Sequence, residues 1–311
     1  MNFQQLRIVR ETVRQNFNLT DVANTLFTSQ SGVSKNIKDL EDELGVDLFI
    51  RKGKRILGLT EPGQDLIVVF ERILLDLNNI KRQAKSYRTG DRGQLTLATT
   101  HTQARYALPS VITEFKQTFP NVHLSLHQLS PKEIVASLLA GEADIGIATE
   151  ALGNNSELIS FPYYPWHHAV IVPKDHILES IKPLTLKALA EFPIITYHEG
   201  FTGRTNIDQQ FENEGLSPDI VLSALDADVI KTYVELGLGV GIIASMAFDA
   251  KRDSNLSLLR TEHLFQTNVT HIAVRRGHFL HKFAYRFIEL CSKNLNENYI
   301  RERIAPSFEL E

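Results

Sequence analysis

Residues 20–60 read TDVANTLFTSQSGVSKNIKDLEDELGVDLFIRKGKRILGLT, and their spacing decides how the chain begins. Val33, Ile37, Leu40 and Leu44 recur at 4-3-4 spacing, one apolar stripe on a helix that Ser29 is placed to cap and Gly45 to end. Upstream, Thr20 is placed to cap a short helix carrying Val22, Ala23 and Leu26. Small Ala23 permits a close helix crossing, and the turn Leu26-Phe27-Thr28-Ser29 is short. Further out, Phe3, Leu6, Val9, Val13 and Phe17 predict a first helix over residues 3–16. Downstream, residues 47–59 hold two short apolar runs around Arg51-Lys52-Gly53-Lys54-Arg55, a hairpin with a basic, glycine-containing tip. Three helices followed by a hairpin make a winged helix-turn-helix, and the chemistry of its polar face suits DNA. Away from its apolar stripe the third helix presents Ser29, Gln30, Ser31, Ser34, Lys35 and Lys38. Gln and Ser bond base edges or phosphates, and Lys neutralises phosphate charge. Arg51, Lys52, Lys54 and Arg55 are expected along phosphates or a minor groove. The competing reading is a solvated helix face and an ordinary turn.

Thr60 opens a long helix in which Leu66, Phe70, Ile73, Leu77, Ile80, Ala84 and Tyr87 recur as a heptad seam. Self-association is the expectation, with packing on the helix's own domain as the alternative. Residues 88–93, Arg-Thr-Gly-Asp-Arg-Gly, read as a hinge. From Gln94 short apolar runs alternate with helical patterns: strands at 95–99, 122–128 and 144–148 with helices at 102–118 and 131–140, then strands at 169–172, 193–197, 219–223 and 240–244 with intervening helices, and a closing strand at 270–275 and helix at 280–295. This order predicts an α/β body with largely parallel sheets, in two lobes around a cleft, the first lobe completed by the C-terminal elements.

Among 311 residues, 43% are hydrophobic and 23% charged, as in an ordinary soluble globular protein. The net charge of −4 conceals an asymmetry: residues 1–90 carry 14 Lys+Arg against 11 Asp+Glu, the remainder 19 against 26. A basic head on an acidic body suits DNA binding by the head alone. The start lacks the apolar run of a signal peptide, and no stretch is apolar enough to span a membrane, so a cytoplasmic location is expected. A single cysteine, Cys291, excludes an internal disulfide or a cysteine-based zinc cluster. His123 and His127 share a strand face without a third ligand, and no metal or cofactor is expected. Gly237-Leu238-Gly239-Val240-Gly241 runs from helix to strand, the wrong order for a dinucleotide loop, and no G-x-S-x-G elbow occurs.

The cleft is where a ligand is expected. Thr100, Thr102 and Gln103 fall where a strand ends and a helix begins, Thr149 follows the 144–148 strand, and Thr202 lies in a glycine-flanked turn after the 193–197 strand. Free N–H groups and the positive end of a helix favour an anion, and strand carboxyl ends are the usual crevice of such sheets. Trp166, beside His167-His168, is a candidate for the cleft wall. All five hydroxyl or amide candidates are neutral, which predicts a nearly donor-only site preferring a fully ionised oxyanion over one that carries a proton; the alternative is that they are local caps.

The run Ala23-x-x-Leu26-x-x-Ser29-Gln30-Ser31-x-x-Ser34-x-x-Ile37-x-x-Leu40-Glu41-x-x-Leu44-Gly45-x-x-Leu48-Phe49-x-Arg51, continued by Leu59-Thr60-x-x-Gly63, resembles the signature of LysR-type regulators, with Gly32 where many members carry Ala. The body is similar to the CysB and Cbl subgroup at residues 99–109, 147–152, 200–204 and 226–233, with Leu129 where CysB has a glycine. The resemblance implies a winged helix-turn-helix over 1–59, a linker and dimerisation helix over 60–90, and a periplasmic-binding-protein-like effector domain over 91–311, its lobe I about 91–162 and 268–295 and its lobe II about 163–267. It implies a homotetramer that regulates sulfur assimilation and cysteine biosynthesis by binding promoter DNA, with a sulfate-type anion, O-acetylserine or N-acetylserine as effector. The alternatives are a regulator of alkanesulfonate or another small-anion pathway and, from another class, a solute-binding protein. An enzyme is disfavoured, since no nucleophile–base or metal set is visible.

Overall fold

The computed structural model describes residues 1–53, 55–89 and 92–304, which fall into two compact units, residues 1–85 and 86–311. The first unit runs α1 (Phe3–Arg14), α2 (Leu19–Thr25), α3 (Gln30–Leu44), the antiparallel pair β1 (Phe49–Lys52) and β2 (Arg55–Leu59), and α4 (Glu61–Thr89). Leu6, Val9, Val22, Val33, Ile37 and Leu40 are buried together, so the apolar stripes read from the sequence face one core. Ser29 caps α3 by accepting the N–H of Gly32 at 3.1 Å, and Gly45 ends it at φ 71°. The second helix departs from expectation. Asn18, not Thr20, is its cap, accepting the N–H of Thr20 at 3.1 Å, because the chain turns two residues earlier through Asn16 and Phe17 at positive φ.

Thr60 starts α4 as expected, accepting from the N–H of Gly63 at 3.0 Å and donating to the carbonyl of Asp47 at 2.6 Å. A Cβ on Gly63 would lie 2.1 Å from the carbonyl oxygen of Leu48, so only glycine lets this helix pass the wing strand. The heptad seam splits in two. Phe70 and Leu74 are buried in the core of the first unit, with Leu66, Ile67 and Ile73 packed around it, whereas Ile80 and Tyr87 are 64% and 83% exposed. The early seam positions therefore cover the chain's own core and the later ones face outward. The predicted hinge lies partly outside the described residues, at Gly90 and Asp91.

The second unit holds β3 (Gly93–Thr99), a π-helical turn (Gln103–Ala107) leading into α5 (Leu108–Thr118), β4 (Val122–Gln128), α6 (Pro131–Ala140), β5 (Ile145–Ala148), β6 (Leu158–Trp166), β7 (His168–Pro173), α7 (Leu186–Leu189), β8 (Ile194–Tyr197), α8 (Arg204–Asn213), β9 (Ile220–Ala224), α9 (Ala227–Glu235), β10 (Val240–Ala244), β11 (Leu256–Leu259), β12 (Asn268–Arg275), α10 (Lys282–Cys291) and α11 (Glu297–Ile304). Two five-stranded sheets result, β4-β3-β5-β12-β6 and β11-β7-β10-β8-β9. These are the two lobes, and β12 returns the chain to the first.

The sheets are mixed rather than largely parallel. β12 lies antiparallel to both β5 and β6, and β7 antiparallel to both β10 and β11. Two of these four antiparallel pairs, β12 with β5 and β7 with β10, join predicted strands, and the other two involve strands that were not predicted. β6 contains Pro162 and Pro165, which read as strand breakers, and it is accommodated as an edge strand with a register shift against Thr270 and His271. β11 is four residues long and also sits at an edge. The predicted closing helix is shorter, ending at Cys291, and α11 follows it separately; Ile300 and Ile304 join the core that Phe115, Phe287 and Ile288 build under the first sheet.

Candidate functional site

In the first unit, Ser29, Gln30, Ser31, Lys35 and Lys38 are exposed along α3, and Ser34 is half-buried. The Ser29 hydroxyl is already engaged as the helix cap and lies 3.1 Å from that of Ser31. Gln30 and Arg55 line one groove of about 730 Å³ with Gln15, Asn18 and Leu57, between the helix pair and the wing. Lys52 is exposed at the end of β1; Lys54 lies outside the described residues. Arg51 differs from its neighbours. Its guanidinium donates to Glu41 Oε2 at 2.7 Å, while Glu41 Oε1 accepts the N–H groups of Leu48 and Phe49 at 2.9 and 3.2 Å. Glu41 is 6% exposed. Arg51 is exposed, and its charge also compensates a buried carboxylate that ties α3 to the wing.

In the second unit, the predicted ligand residues converge. Thr100, Thr102, Gln103, Trp166 and Thr202 are buried and Thr149 is half-buried. The Thr102 hydroxyl lies 3.3 Å from that of Thr202, across from one lobe to the other. Thr100 supplies its carbonyl to the N–H of Ala104 at 3.1 Å, within the turn that opens the helix. The others meet at a residue sequence reasoning missed. Thr270 Oγ1 accepts from Gln103 Nε2 and from Trp166 Nε1, both at 3.1 Å, and lies 3.4 Å from Thr149 Oγ1. With two donors on its oxygen, its own hydrogen goes to Thr149. Tyr164 donates to Gln103 Oε1 at 2.5 Å, which fixes the amide. The π-helical turn carries Gln103, the kind of local irregularity that recurs at functional sites.

Thr202 is held at φ 46°, an outlier for a β-branched residue, and Gly203 follows at φ 71°. His168 Nε2 faces the carbonyl oxygen of Thr202 at 3.0 Å, so that nitrogen carries the hydrogen, and Nδ1 accepts from Asn268 Nδ2 at 3.2 Å. Burial drives His168 down to about 4, and it stays neutral near neutral pH. An ionisable group, Glu150, stands beside these neutral residues. Its Oε1 accepts the N–H of Gly203, and burial pushes its carboxyl up to about 7 against the pull of backbone N–H groups at Gly203, Glu150 and Thr202. Both neighbouring arginines have partners within the protein. Arg204 donates to the carbonyl of Tyr197 and to Asp208, and Arg105 pairs with Asp228 at 2.8 Å.

Asp228 marks a second crossing between lobes, since Tyr106 donates to it at 2.7 Å and Lys231 lies 3.2 Å away. His101, Asp226 and Asp228 come within 4.8 Å of one another. Asp226 caps α9 through the N–H of Val229, however, and Asp228 is balanced by Arg105 and Lys231, so the arrangement is an ion-pair node. Neither Thr270 nor Tyr164 left a signal in the sequence: one lies in an ordinary alternating strand, the other between two prolines.

Comparison with known proteins places each unit in a known family. Residues 3–64 match the family of bacterial regulatory helix-turn-helix proteins of the lysR type, and residues 88–296 match the LysR substrate binding domain. The chain is 59% identical over 297 residues to the HTH-type transcriptional regulator SsuR of Burkholderia cenocepacia, covering 96% of each. It is 52% identical over 311 residues to the HTH-type transcriptional regulator cbl of Escherichia coli, covering 100% of this chain and 98% of that one. It is 53% identical over 313 residues to CysB of Burkholderia cenocepacia, covering 100% of each. The solved cofactor-binding domain of the Cbl transcriptional regulator superposes with a TM-score of 0.68 at 48% identity, covering 70% of this chain and 96% of that one. These relatives are named as regulators, not enzymes. No helix among the described residues is long and apolar enough to cross a membrane. A helix-turn-helix head, a two-lobed body with its ligand-type residues gathered between the lobes, and full-length relatives of one kind agree: the chain belongs to the LysR family of bacterial transcriptional regulators, DNA-binding proteins that carry a small-molecule effector domain.

Proposed function

We propose that this regulator controls genes of sulfur assimilation and cysteine biosynthesis from the cytoplasm, as a homotetramer. Its effector, an oxyanion of the sulfate type or an acetylated serine, binds where Thr100, Thr102, Gln103, Thr149 and Thr202 meet, with Trp166 behind them. The observation that carries the reading is the approach of Thr102 to Thr202, which brings a strand-end turn of one lobe against the start of α8 in the other. An anion there gains hydroxyls and helix-terminal N–H groups from both lobes at once, so its binding favours one lobe arrangement over another. The sulfur assignment rests on the likeness to the CysB and Cbl subgroup. Domain limits follow the sequence reading: head 1–59, linker helix 60–90, effector domain 91–311.

On DNA, Gln30 and Ser34 read base edges while Lys35, Lys38, Arg51, Lys52, Lys54 and Arg55 meet phosphates, with Ser29 and Ser31 at the start of the recognition helix. Binding to promoters of cysteine-biosynthesis genes, of alkanesulfonate genes and to nonspecific DNA tests the assignment. Tight binding at the first and tuning of that complex by sulfate, O-acetylserine or N-acetylserine is expected; preference for the alkanesulfonate promoter would move the pathway, and no preference at all would refute it. Thr102→Val removes one hydroxyl with little change of shape. It is expected to weaken sulfate in calorimetry by about tenfold, the equivalent of roughly 1.4 kcal/mol, while leaving DNA binding intact.

A further inference from the structure

Glu150 stands two residues after β5, next to the expected ligand residue Thr149. Its Oε1 takes the N–H of Gly203, the residue before α8, and the N–H of Thr202 also bears on its carboxylate. These are the amides that an oxyanion seated at the start of this ten-residue helix would take. The other oxygen, Oε2, is fully enclosed and has no hydrogen-bond partner. The contact is held by an unusual backbone on both sides, with Ala151 at φ 68° facing Thr202 at φ 46° and Gly203 at φ 71°. A segment kept in these conformations aims its N–H groups at one point.

The other ionisable groups on the elements meeting here do not neutralise the acid. From α8, Arg204 is engaged with Tyr197 and Asp208. From β7, His168 is neutral and directed at the Thr202 carbonyl. From β12, His271 is held below the ordinary imidazole range by burial. From the turn after β3, His101 has an enclosed Nδ1 without a partner.

We propose that Glu150 is the specificity-determining acid of the effector cleft: its carboxylate is the resident anion of the cleft, seated on the Gly203 amide, and an oxyanion effector enters only as Glu150 takes up a proton and releases that amide. This rests on the reading of the cleft as an oxyanion site. A dianion and a carboxylate cannot share the same few donors in a site closed to water, since like charges there oppose each other strongly. Protonation removes the repulsion and turns Oε2 from an unpaired acceptor into a donor for an effector oxygen. The balance is one sulfate dianion plus one proton bound together; sulfate itself does not titrate near neutrality, so the proton resides on the protein. A carboxyl pushed up to about 7 is placed for this exchange at physiological pH.

Calorimetric titration of the full-length chain with sodium sulfate, at pH 6 and pH 8 and in two buffers of different ionisation heat, tests the coupling. The expected result is about one proton taken up per sulfate at pH 8, little at pH 6, and an affinity roughly tenfold lower at pH 8, as a group with that pKa requires. Glu150→Gln is expected to bind sulfate at pH 8 about as tightly as the wild type does at pH 6, without proton uptake. Binding of the variant alone, with none by the wild type at pH 8, would carry the same meaning. Wild-type binding of equal strength at both pH values without proton uptake overturns the role of Glu150 and leaves the oxyanion cleft standing. If the variant does not fold, the two-buffer measurement on the wild type decides by itself. Sulfate binding by neither protein at either pH removes the oxyanion cleft and this role with it.

Discussion

Arg51 and Lys35 carry the same charge and were expected to do the same work, but their surroundings separate them. Lys35 is exposed on α3, whereas Arg51 balances the buried Glu41. Arg51→Ala leaves that carboxylate with its backbone donors only. It is expected to lower stability in urea by roughly 2 kcal/mol, the scale of a hydrogen bond to a charged group. Lys35→Ala is expected to leave the urea midpoint unchanged, weaken all DNA alike and reduce the salt slope by about one. Matching stability losses in the two variants would show that the distinction is false. His168 makes a prediction about pH. Its imidazole sits near 4 in the fold and close to its ordinary value of 6.5 when unfolded, because burial opposes its charge. Between those values the unfolded chain binds the extra proton, so stability falls as pH drops from 6.5 toward 4. His168→Gln is expected to flatten that part of the urea-midpoint profile; an unaltered slope would assign the acid sensitivity to other groups.

At the level of single elements, α4 divides its apolar residues between two tasks. Phe70 and Leu74 belong to the core of the first unit, which explains why the early seam looks regular without serving a partner. Ile80 and Tyr87 remain exposed, with Val68 at 69% on another part of the helix. An exposed isoleucine at a heptad position is the feature that favours a helix partner. Ile80→Asp is therefore expected to fold normally, since no core is touched, and to shift sedimentation toward smaller species with loss of tight operator binding. A sedimentation coefficient identical to the wild type would leave α4 as a spacer only. α5 and its preceding π-helical turn work differently: the irregular turn directs Gln103 at Thr270, while the regular helix buries Leu108, Val111 and Phe115 under the sheet.

The second unit as a whole is joined across its lobes at two kinds of contact. One is made of hydrogen bonds, Thr102 with Thr202 and the Glu150 carboxyl with the Gly203 N–H; the other is a cluster of ion pairs, Asp228 between Arg105, Tyr106 and Lys231. Both unite a turn after β3 or β5 with the start of a helix in the other lobe, so the ligand residues and the clasp respond to the same motion. Asp228→Asn weakens the clasp without entering the proposed cleft. Hydrogen exchange at residues 103–107 is expected to quicken and sulfate affinity to fall several-fold, with exchange in residues 1–85 unchanged. Unchanged exchange around 103–107 would show that the ion pairs play no part in holding the lobes.

Local pattern alone carried much of this protein. The stripe Val33, Ile37, Leu40, Leu44, the Ser29 cap, the Gly45 stop and the basic tip beyond Phe49 specify the helix-turn-helix and its wing, because each depends on neighbours within a few residues. The hydroxyl residues of the cleft were legible for the same reason: Thr100, Thr102, Thr149 and Thr202 all stand at ends of elements, and ends are marked locally. Tertiary structure decided the rest. Thr270 became the common partner of Gln103, Thr149 and Trp166 only because β12 returns to the first sheet, more than a hundred residues after β5. Arg51 gained a structural partner because folding placed the buried Glu41 beside it. Glu150 came to face the Gly203 amide because two distant turns meet, and no spacing along the chain records which acid a buried amide will face.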